Sequence, residues 1–526
     1  MAYPGNGRLP VIYVRGFAGS GSGISSAVED PFYGFNEGSV QVRVDKADRP
    51  VFHQFESPLL RLMIDEGYQL LVRGDQRAYL QAQENGTVPA ETLWVHRFYD
   101  EFAPTLTREP NAFSLERAAG SLLDLIQSVR VKTGAPRVFL VAHSMGGLVV
   151  RCLVQKVIPE HPELGGRPDA GADVVDRVFT YATPHGGIEF AVGMGLLERL
   201  RDMTGLFGAD IFGPRRMREY LTPSGSPAIG ADGAFDATRM PADGYPLDRF
   251  FCLVGTNSTD YTTAMGLSSG AVGAASDGLV QIDNAYVRGA PRSLVHRSHS
   301  GRFGIVNSEE GYQNLRRFLF GDLAVRANLV DLDLPGDPDD DTVWQLETSL
   351  SIRGLPAILH EQSTAHLCPI QIERPRSQDA PRTPVPLVTT FLSATAKRPE
   401  DPSTGDRVRT MRHVLRLRLI SLRERGGILF FTDHLEQTED WADVLVVDIA
   451  LSGPDSGCTW ATWNSEIGGA IRDWDPAGTP PLRDVDDRPG HWRVRVPVPR
   501  GAAQILGDSA TVEITVDGRA TLDRSR

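Results

Sequence analysis

The 526-residue chain has few cysteines, no long apolar run and no excess of basic charge. Its four cysteines lie far apart and form no Cys-x-x-Cys pair, which argues against a zinc site and a disulfide framework. No run approaches the roughly 20 apolar residues of a membrane helix. The net charge of -13 argues against nucleic acid as the main partner, because a phosphate-binding surface needs clustered Lys and Arg.

The N-terminal residues 1–10 lack the basic start and apolar core of a secretory signal. We therefore expect a cytoplasmic protein, with a trimmed leader or another export route as the alternatives. With 41% hydrophobic and 23% charged residues, the composition is that of an ordinary soluble globular protein, and the length predicts two or more domains. Cys152 and Cys252 sit in apolar runs, which predicts buried core thiols.

The strongest pattern in the chain lies at residues 137–151, where an apolar run ends in Ala-His-Ser-Met-Gly-Gly at 142–147 and a second apolar run follows. This pattern predicts a strand, a tight turn and a helix, with Ser144 in the turn. Small residues two positions before and two positions after the serine permit a strained turn that raises the hydroxyl above the next helix. The alternative is a Gly-rich helix start in which the serine is a plain N-cap.

Strand-like and helix-like segments alternate around this turn. Residues 92–100 and 249–256 read as strands, residues 9–19 as a short apolar strand that breaks into a Gly-rich loop, and residues 174–187 as a strand that ends in a tight turn. Ser114 caps an amphipathic helix up to residue 131. The alternation predicts an α/β fold with a doubly wound, mainly parallel sheet and helices on both faces. The Gly-rich loop after the first strand lacks a Gly-Lys-Ser/Thr ending, so a phosphate-binding loop is a poor alternative.

The domain organisation follows from changes of pattern along the chain. We expect a catalytic domain at 1–321, in which the apolar and Gly/Pro-rich segment 188–248 is an inserted cap or, alternatively, ordinary core. Residues 322–342 are expected to be an acidic linker, and a calcium site in its Asp run is a weaker reading because no EF-hand order of ligands is present. Period-two alternation beyond it predicts an all-β, sandwich-like accessory domain at 343–526.

A serine hydroxyl needs a histidine to accept its proton and a carboxylate to orient that histidine. In a doubly wound hydrolase these groups follow strands in the chain order Ser, acid, His. Here the order gives Ser144, then Asp277 in a Ser-Asp-Gly turn, then a histidine. Asp260 and Asp283 are the alternative acids.

The base is chosen between two histidines. We favour His299, because Ser-His-Ser-Gly at 298–301 is typical of a loop, whereas His296 extends an apolar strand end. His143 is expected to orient the serine turn and His185 to pack near it. Neither follows the acid in the chain, so neither is the expected base.

The oxyanion of an acyl-transfer intermediate needs preorganised N–H donors. We expect them to be the backbone N–H groups of Met145, at the start of the helix after the serine, and of Phe17, after Gly16. Because the donors would be backbone N–H groups, substitution of the Met145 and Phe17 side chains would be a weak test of this role.

Two motifs resemble those of the α/β-hydrolase superfamily and, within it, of bacterial lipases and lecithin:cholesterol acyltransferase-like lipases. They are Ala-His-Ser-Met-Gly-Gly at 142–147 and Ala-Thr-Pro-His-Gly-Gly at 182–187, and the resemblance covers roughly residues 8–320. The resemblance implies a nucleophile, an acid, a base and two oxyanion donors at Ser144, Asp277, His299, Phe17 and Met145.

The chain departs from these lipases at two points. Ala142 stands where many members have Gly, a change familiar in the lipase branch and harmless to the turn. Arg15-Gly16 stands where the family usually has His-Gly, so the side chain that braces the oxyanion loop differs. The β-rich tail resembles no family that we can name.

The sequence thus predicts a serine hydrolase of carboxylic esters that uses an acyl-enzyme and no metal or cofactor. An apolar cap favours hydrophobic acyl esters of lipids or small molecules. A lipid acyltransferase or phospholipase with the same triad is the nearest alternative, and a binding module with a vestigial hydrolase domain is the alternative from another class. Peripheral contact with a lipid surface, through the cap or the β-domain, is the further partner that we considered.

Overall fold

The computed structural model describes residues 8–16, 39–44, 50–55, 58–72, 75–96, 98, 114–188, 209–224, 235–260, 274–301, 303–334, 342–372, 383–393, 410–425, 434–451, 457–476, 478–486 and 488–519. Within this part, the chain forms two compact units. The first runs to Arg292 and includes His296–Leu319, and the second contains Ser293–Val295 and continues from Phe320.

A six-stranded sheet forms the centre of the first unit, although residues 293–295 of its last strand are grouped with the second unit. Its strands are β1 (Val11–Val14), β4 (Leu93–His96), β5 (Val138–His143), β6 (Val175–Tyr181), β7 (Phe250–Gly255) and β8 (Arg292–Val295). They lie in the order β4-β1-β5-β6-β7-β8, and the pairings from β4 through β7 are parallel. A separate antiparallel pair is formed by β2 (Ser39–Val44) and β3 (Pro50–Phe55). The predicted parallel sheet is therefore confirmed.

Helices connect these strands. They are α1 (Pro58–Glu66), α2 (Gln76–Ala82), α3 (Leu115–Thr133), α4 (Met145–Cys152), α5 (Gly171–Val174), α6 (Pro214–Leu221) and α7 (Glu309–Phe320). A π-helical turn, Leu153–Val157, continues α4, and short 3-10 turns occupy Ala209–Phe212, Leu247–Arg249 and Ile282–Asn284. Helix α3 begins as predicted, because the Ser114 hydroxyl accepts the Arg117 N–H, and it ends at Gly134 with φ 70°.

Helices cover both faces of the sheet. On one face, Ile12 and Leu140 belong to the same buried cluster as Leu122 of α3 and Leu148 of α4. On the other face, Phe179 stacks on Phe251 at 5.1 Å between ring centroids, and both rings contact Phe318 of α7. Strands buried on both faces explain the near-continuous apolar runs of the sequence. Together with the parallel strand order, this is the arrangement of an α/β-hydrolase.

The segment expected to form a cap is described in part. Residues 189–208 and 225–234 lie outside the described residues. Between them, Met217 and Tyr220 of α6 are fully buried and belong to the same core cluster as the helix after the serine. For this part of the segment, the structure therefore agrees with the alternative of ordinary core packing.

In its described residues, the second unit contains antiparallel strands, one α-helix and two 3-10 turns, Asn464–Glu466 and Ile471–Asp473. The strands and the α-helix are β9 (Leu323–Val330), β10 (Val343–Ile352), β11 (Ile358–Gln362), β12 (Ile370–Ile372), β13 (Val385–Leu392), β14 (Thr410–Arg425), β15 (His434–Ala450), β16 (Thr459–Trp463), β17 (His491–Pro497), α8 (Arg500–Leu506) and β18 (Thr511–Gly518). One sheet has the order β11-β10-β14-β15-β16, with β12 also paired to β10, and the other has the order β13-β9-β18-β17.

The two sheets of the second unit share one apolar core. Leu346 and Leu417 from the first sheet lie in the same buried cluster as Leu329 and Val512 from the second. The period-two segments at 414–419, 492–498 and 511–516 fall on β14, β17 and β18, and their alternate residues supply this core. The predicted all-β fold of this region is confirmed.

The expected linker at 322–342 needs a correction. Residues 323–330 form β9, which pairs with both β13 and β18 in the second sheet. Most of its side chains are buried, and they are largely apolar. The strand was assigned to a linker because the acidic residues that follow it dominate the composition of 322–342. The acidic residues 335–341 lie outside the described residues.

None of the helices in the described ranges is both long and apolar enough to cross a membrane. All four cysteines are free thiols, and Cys152 and Cys252 are fully buried, as predicted.

Candidate active site

Ser144 stands between strand β5 and helix α4 in a strained backbone conformation. Its φ is 53° and its ψ is -130°, and positive φ is costly for a residue with a β-carbon. The Ser144 N–H donates to the Tyr181 carbonyl at 2.9 Å, and the Ser144 carbonyl accepts the Gly147 N–H at 3.0 Å. The neighbouring strand and the helix therefore hold the turn from two sides.

The glycines around the turn are required by close packing. A β-carbon on Gly146 would lie 2.5 Å from the carbonyl oxygens of Val14 and Arg15, and one on Gly147 would lie 2.1 Å from Thr183 Oγ1. These distances are far below any carbon–oxygen contact, so the first turn of α4 packs directly against the backbone of residues 14 and 15 at Gly146 and against the Thr183 side chain at Gly147. This is the physical reason for the Gly-Gly pair in the motif.

Ser144, His299 and Asp277 form one chain of hydrogen bonds. His299 Nε2 lies 3.0 Å from Ser144 Oγ, and His299 Nδ1 lies 2.9 Å from Asp277 Oδ2. A carboxylate only accepts, so Nδ1 carries the ring proton and Nε2 is left to accept the serine O–H. All three residues are buried, with Ser144 8% exposed and Asp277 fully covered.

Asp277 is held by its own turn. Its Oδ1 accepts the N–H groups of Leu279 at 3.0 Å and Val280 at 2.7 Å, which leaves Oδ2 for His299. The turn closes at Gly278, whose φ is 98°. Strand β7 ends at Gly255, where a β-carbon would lie 2.8 Å from that of Asp277. The turn formed by Ser-Asp-Gly therefore fixes the position of the Asp277 carboxylate.

The alternative acids and the alternative base lie elsewhere. Asp260 accepts the side-chain amide of Asn257 at 2.7 Å, and Asp283 is exposed on a 3-10 turn. His296 is exposed, and its Nδ1 lies 3.4 Å from Thr256 Oγ1. Of the histidines considered, the structure thus brings His299 to the serine.

The expected oxyanion donors are described in part. Met145 is the first residue of α4, where N–H groups have no acceptor within the helix. Phe17 lies outside the described residues. Gly16, which precedes it, approaches Ser144 so closely that a β-carbon there would lie 2.8 Å from Ser144 Cβ. The end of β1 therefore borders the serine, as the expected oxyanion loop requires.

The histidines of the two motifs have different surroundings. His143 Nε2 lies 2.9 Å from the backbone carbonyl oxygen of His299, and burial, together with the nearby charge of His299, lowers the pKa of His143 to about 3. His185 is fully buried, with Nε2 3.1 Å from Thr180 Oγ1, and burial lowers its pKa well below the usual value. His143 thus contacts the chain of hydrogen bonds from Ser144 to Asp277 at His299, whereas His185 is buried away from it.

Arg151 was missed by the sequence analysis. This fully buried side chain on α4 donates to the carbonyl oxygens of His185 at 3.0 Å, Ala237 at 2.7 Å and Arg239 at 3.0 Å, and to Gln155 Oε1 at 2.8 Å. Burial lowers its pKa to about 10, so it stays charged at neutral pH. The signal was a single Arg inside an apolar helix, where a charge needs buried acceptors.

Among the residues that the structure describes, no group of three or more His, Cys, Asp and Glu side chains is placed to hold a metal ion.

Comparison with known proteins gives limited similarity. No protein-family model matches the chain, and no curated protein matches it. The product of the gene lin2722 from Listeria innocua has a similar structure at 11% identity and a TM-score of 0.24, covering 59% of this chain and 94% of that one. Aspergillus fumigatus lipase B is similar at 12% identity and a TM-score of 0.30, covering 60% of this chain and 53% of the lipase. At such scores the similarity carries no argument about the reaction.

Proposed function

We propose that this protein is a serine hydrolase that cleaves carboxylic esters through an acyl-enzyme on Ser144. The observation that carries the proposal is the continuous hydrogen-bonded chain from Ser144 through His299 to Asp277, at 3.0 Å and 2.9 Å. Ser144 lies at the strained turn between a parallel strand and a helix. A serine that served only as an N-cap would need neither the strain nor the histidine.

Acylation follows from the positions of the groups. His299 Nε2 accepts the proton as Ser144 Oγ attacks the ester carbonyl carbon, and the carbonyl oxygen becomes an oxyanion. The backbone N–H groups of Met145 and Phe17 receive that oxyanion, and each such donor contributes about 3–4 kcal/mol in comparable enzymes. Asp277 remains ionised and stabilises the imidazolium.

The second half of the cycle uses the same groups. When the tetrahedral intermediate collapses, the alcohol leaves with the proton from His299 Nε2, and the acyl group stays on Ser144 as an ester. Water then attacks this ester while His299 again accepts the proton. The free acid departs and the serine regains its hydrogen. No net electron transfer occurs, so the chemistry needs no redox partner.

A hydrophobic acyl group is the substrate class that we propose. It is supported by the apolar composition of the segment expected to form a cap, which contains Phe-Ala-Val-Gly-Met-Gly-Leu-Leu at 190–197. Lipid esters and small hydrophobic esters both meet this description, and a lipid acyltransferase or phospholipase would use the same triad.

The test is hydrolysis of p-nitrophenyl esters from short to long acyl chains by wild type, Ser144→Ala and Ser128→Ala. Ser128 lies on α3 with its hydroxyl bonded to the Asp124 carbonyl, so it is a matched serine outside the site. We expect Ser144→Ala to lose at least about a thousandfold in kcat, and Ser128→Ala to equal wild type. Intact mass after a fluorophosphonate probe should show one adduct, absent only in Ser144→Ala.

The same assay separates the alternatives. Transfer of the acyl group to an added alcohol in preference to water would identify an acyltransferase. A wild-type protein that neither turns over any ester nor takes the probe would contradict the proposal and favour a binding protein with a vestigial site. The chain-length optimum distinguishes an esterase from a lipase.

A further inference from the structure

His143 lies beside the nucleophile in sequence and beside the base in space. Its Nε2 is 2.9 Å from the backbone carbonyl oxygen of His299, and the centroids of the two rings are 5.0 Å apart. It is the last residue of β5, directly before Ser144. One side chain therefore links the strand that carries the nucleophile to the loop that carries the base.

The direction of this hydrogen bond follows from the protonation of the ring. Burial, together with the charges of His299 and Arg15, lowers the pKa of His143 to about 3, so the ring is neutral at ordinary pH and carries one proton. The carbonyl oxygen of His299 only accepts. The proton is therefore on Nε2, and Nδ1 carries none. Nδ1 lies next to Gly16, where a β-carbon would be 2.9 Å from it.

This bond completes the support of the base. The His299 N–H donates to the Asp277 carbonyl at 2.9 Å, and its Nδ1–H donates to the Asp277 carboxylate at 2.9 Å. Both of these bonds come from one turn. The bond from His143 holds the same residue from the side of the nucleophile.

We propose that His143 is a positioning residue, whose Nε2–H donates to the backbone carbonyl of His299 and thereby sets the distance between base and nucleophile. This proposal rests on the proposed function of His299 as the base. A displacement of about 1 Å in such a constellation lowers turnover about a hundredfold, so a loosely held base would be costly. A neutral ring also places no second positive charge beside His299 when it becomes an imidazolium.

Two substitutions separate the hydrogen bond from the packing. The side-chain nitrogen of Gln reaches the place of histidine Nε2, so His143→Gln keeps the donor, whereas His143→Leu keeps apolar volume and removes it. We expect His143→Leu to lower kcat about 10- to 100-fold with KM within about threefold. His143→Gln should stay within about threefold of wild type. The rate of fluorophosphonate labelling should follow kcat.

The outcomes divide clearly. Wild-type kcat in His143→Leu, or equal losses in the two variants, would overturn the proposal. Thermal unfolding of each variant is measured alongside, because a loss that appears only with a lower Tm in both would indicate a structural role.

A measurement on the unmodified side chain covers the case in which His143→Leu fails to fold. In the wild-type protein labelled with 15N-histidine, the His143 ring should show the Nε2–H tautomer and no titration between pH 5 and 9, with the signal assigned by its loss in His143→Gln. An Nδ1–H tautomer, or a titration in that range, would refute the role of His143 even in an active enzyme. An inactive, unlabelled wild type would instead refute the proposed function itself.

Discussion

The contact between helix α4 and strand β1 gives a sharp prediction. Gly146 is the second residue of α4, and a β-carbon there would lie 2.5 Å from two backbone carbonyl oxygens, those of Val14 and Arg15. Neither oxygen can move as a side chain would. Gly120 provides the matched control, because it lies inside helix α3 and a β-carbon there meets nothing within 4 Å.

The magnitude follows from the missing space. Carbon and oxygen atoms approach to about 3.3 Å, so Gly146→Ala must separate the helix from the strand by roughly 0.8 Å. Overpacking of this kind costs about 1–3 kcal/mol, whereas alanine in place of a helical glycine with open space around it stabilises by about 0.5–1 kcal/mol. Gly120→Ala should therefore raise the stability of the first unit, and Gly146→Ala should lower it.

Two assays measure the effect. The midpoint temperature at which turnover of a p-nitrophenyl ester is lost should fall by about 2–10 °C in Gly146→Ala relative to Gly120→Ala. Because Ser144 adjoins the displaced helix, kcat for a p-nitrophenyl ester should also fall by roughly a hundredfold in Gly146→Ala alone. If the two variants unfold together and turn over equally fast, the close approach of α4 and β1 does not determine the position of the serine.

Four other predictions, which use five substitutions, have defined outcomes. Asp277→Asn should lower kcat about 10³- to 10⁴-fold without lowering the Tm, because His299 loses its oriented proton, and near-normal turnover would assign the acid elsewhere. In parallel assays, His299→Ala should be inactive and His296→Ala active, and the reverse result would exchange the base. Arg151→Met should destabilise the first unit by about 3 kcal/mol in chemical denaturation, since it removes the donor to three carbonyl groups, of which that of His185 is buried, and a wild-type midpoint would contradict this. Burial lowers the pKa of His96 to about 3, so as the pH falls the unfolded state binds a proton before the folded state does. The free energy of unfolding should therefore keep its full His96 contribution above pH 6.5 and decrease as the pH falls toward 3. His96→Gln should make this decrease less steep in urea unfolding measured at several pH values.

Much of the candidate site was predictable because the fold fixes the order of its parts. In a parallel sheet, the carboxyl ends of the strands meet at one edge, so three groups that follow three strands converge there. The strand assignments and the order Ser144, Asp277, His299 were therefore sufficient to identify residues that the structure brings together. The choice between His296 and His299 depended on recognising where the strand ends: β8 stops at Val295, and the following turn buries residue 299 and exposes residue 296.

Other features depend on contacts between distant residues, which one sequence does not display. The strand β9 was taken for a linker, because its partners β13 and β18 lie far along the chain and the acidic run beside it dominated the composition. Arg151 finds its acceptors as far away as residue 239, in a segment with no regular pattern. Helix α6 packs into the core although its sequence is rich in Arg, since burial involves only one of its faces.

The oxyanion loop shows how a departure from a motif can leave geometry intact. Arg15 stands where the lipase motif that the sequence resembles usually has His, yet Gly16 is placed by the sheet, because Val14 pairs with Ala142 and the chain continues from there toward Ser144. A β-carbon at residue 16 would lie 2.8 Å from that of Ser144 and 2.9 Å from His143 Nδ1, so glycine is required there by the close approach of residues 143 and 144. The side chain at 15 contributes no atom to this contact. Its buried charge acts instead on the neighbouring His143, whose pKa it helps to lower, and so favours the neutral ring that can donate to the base loop.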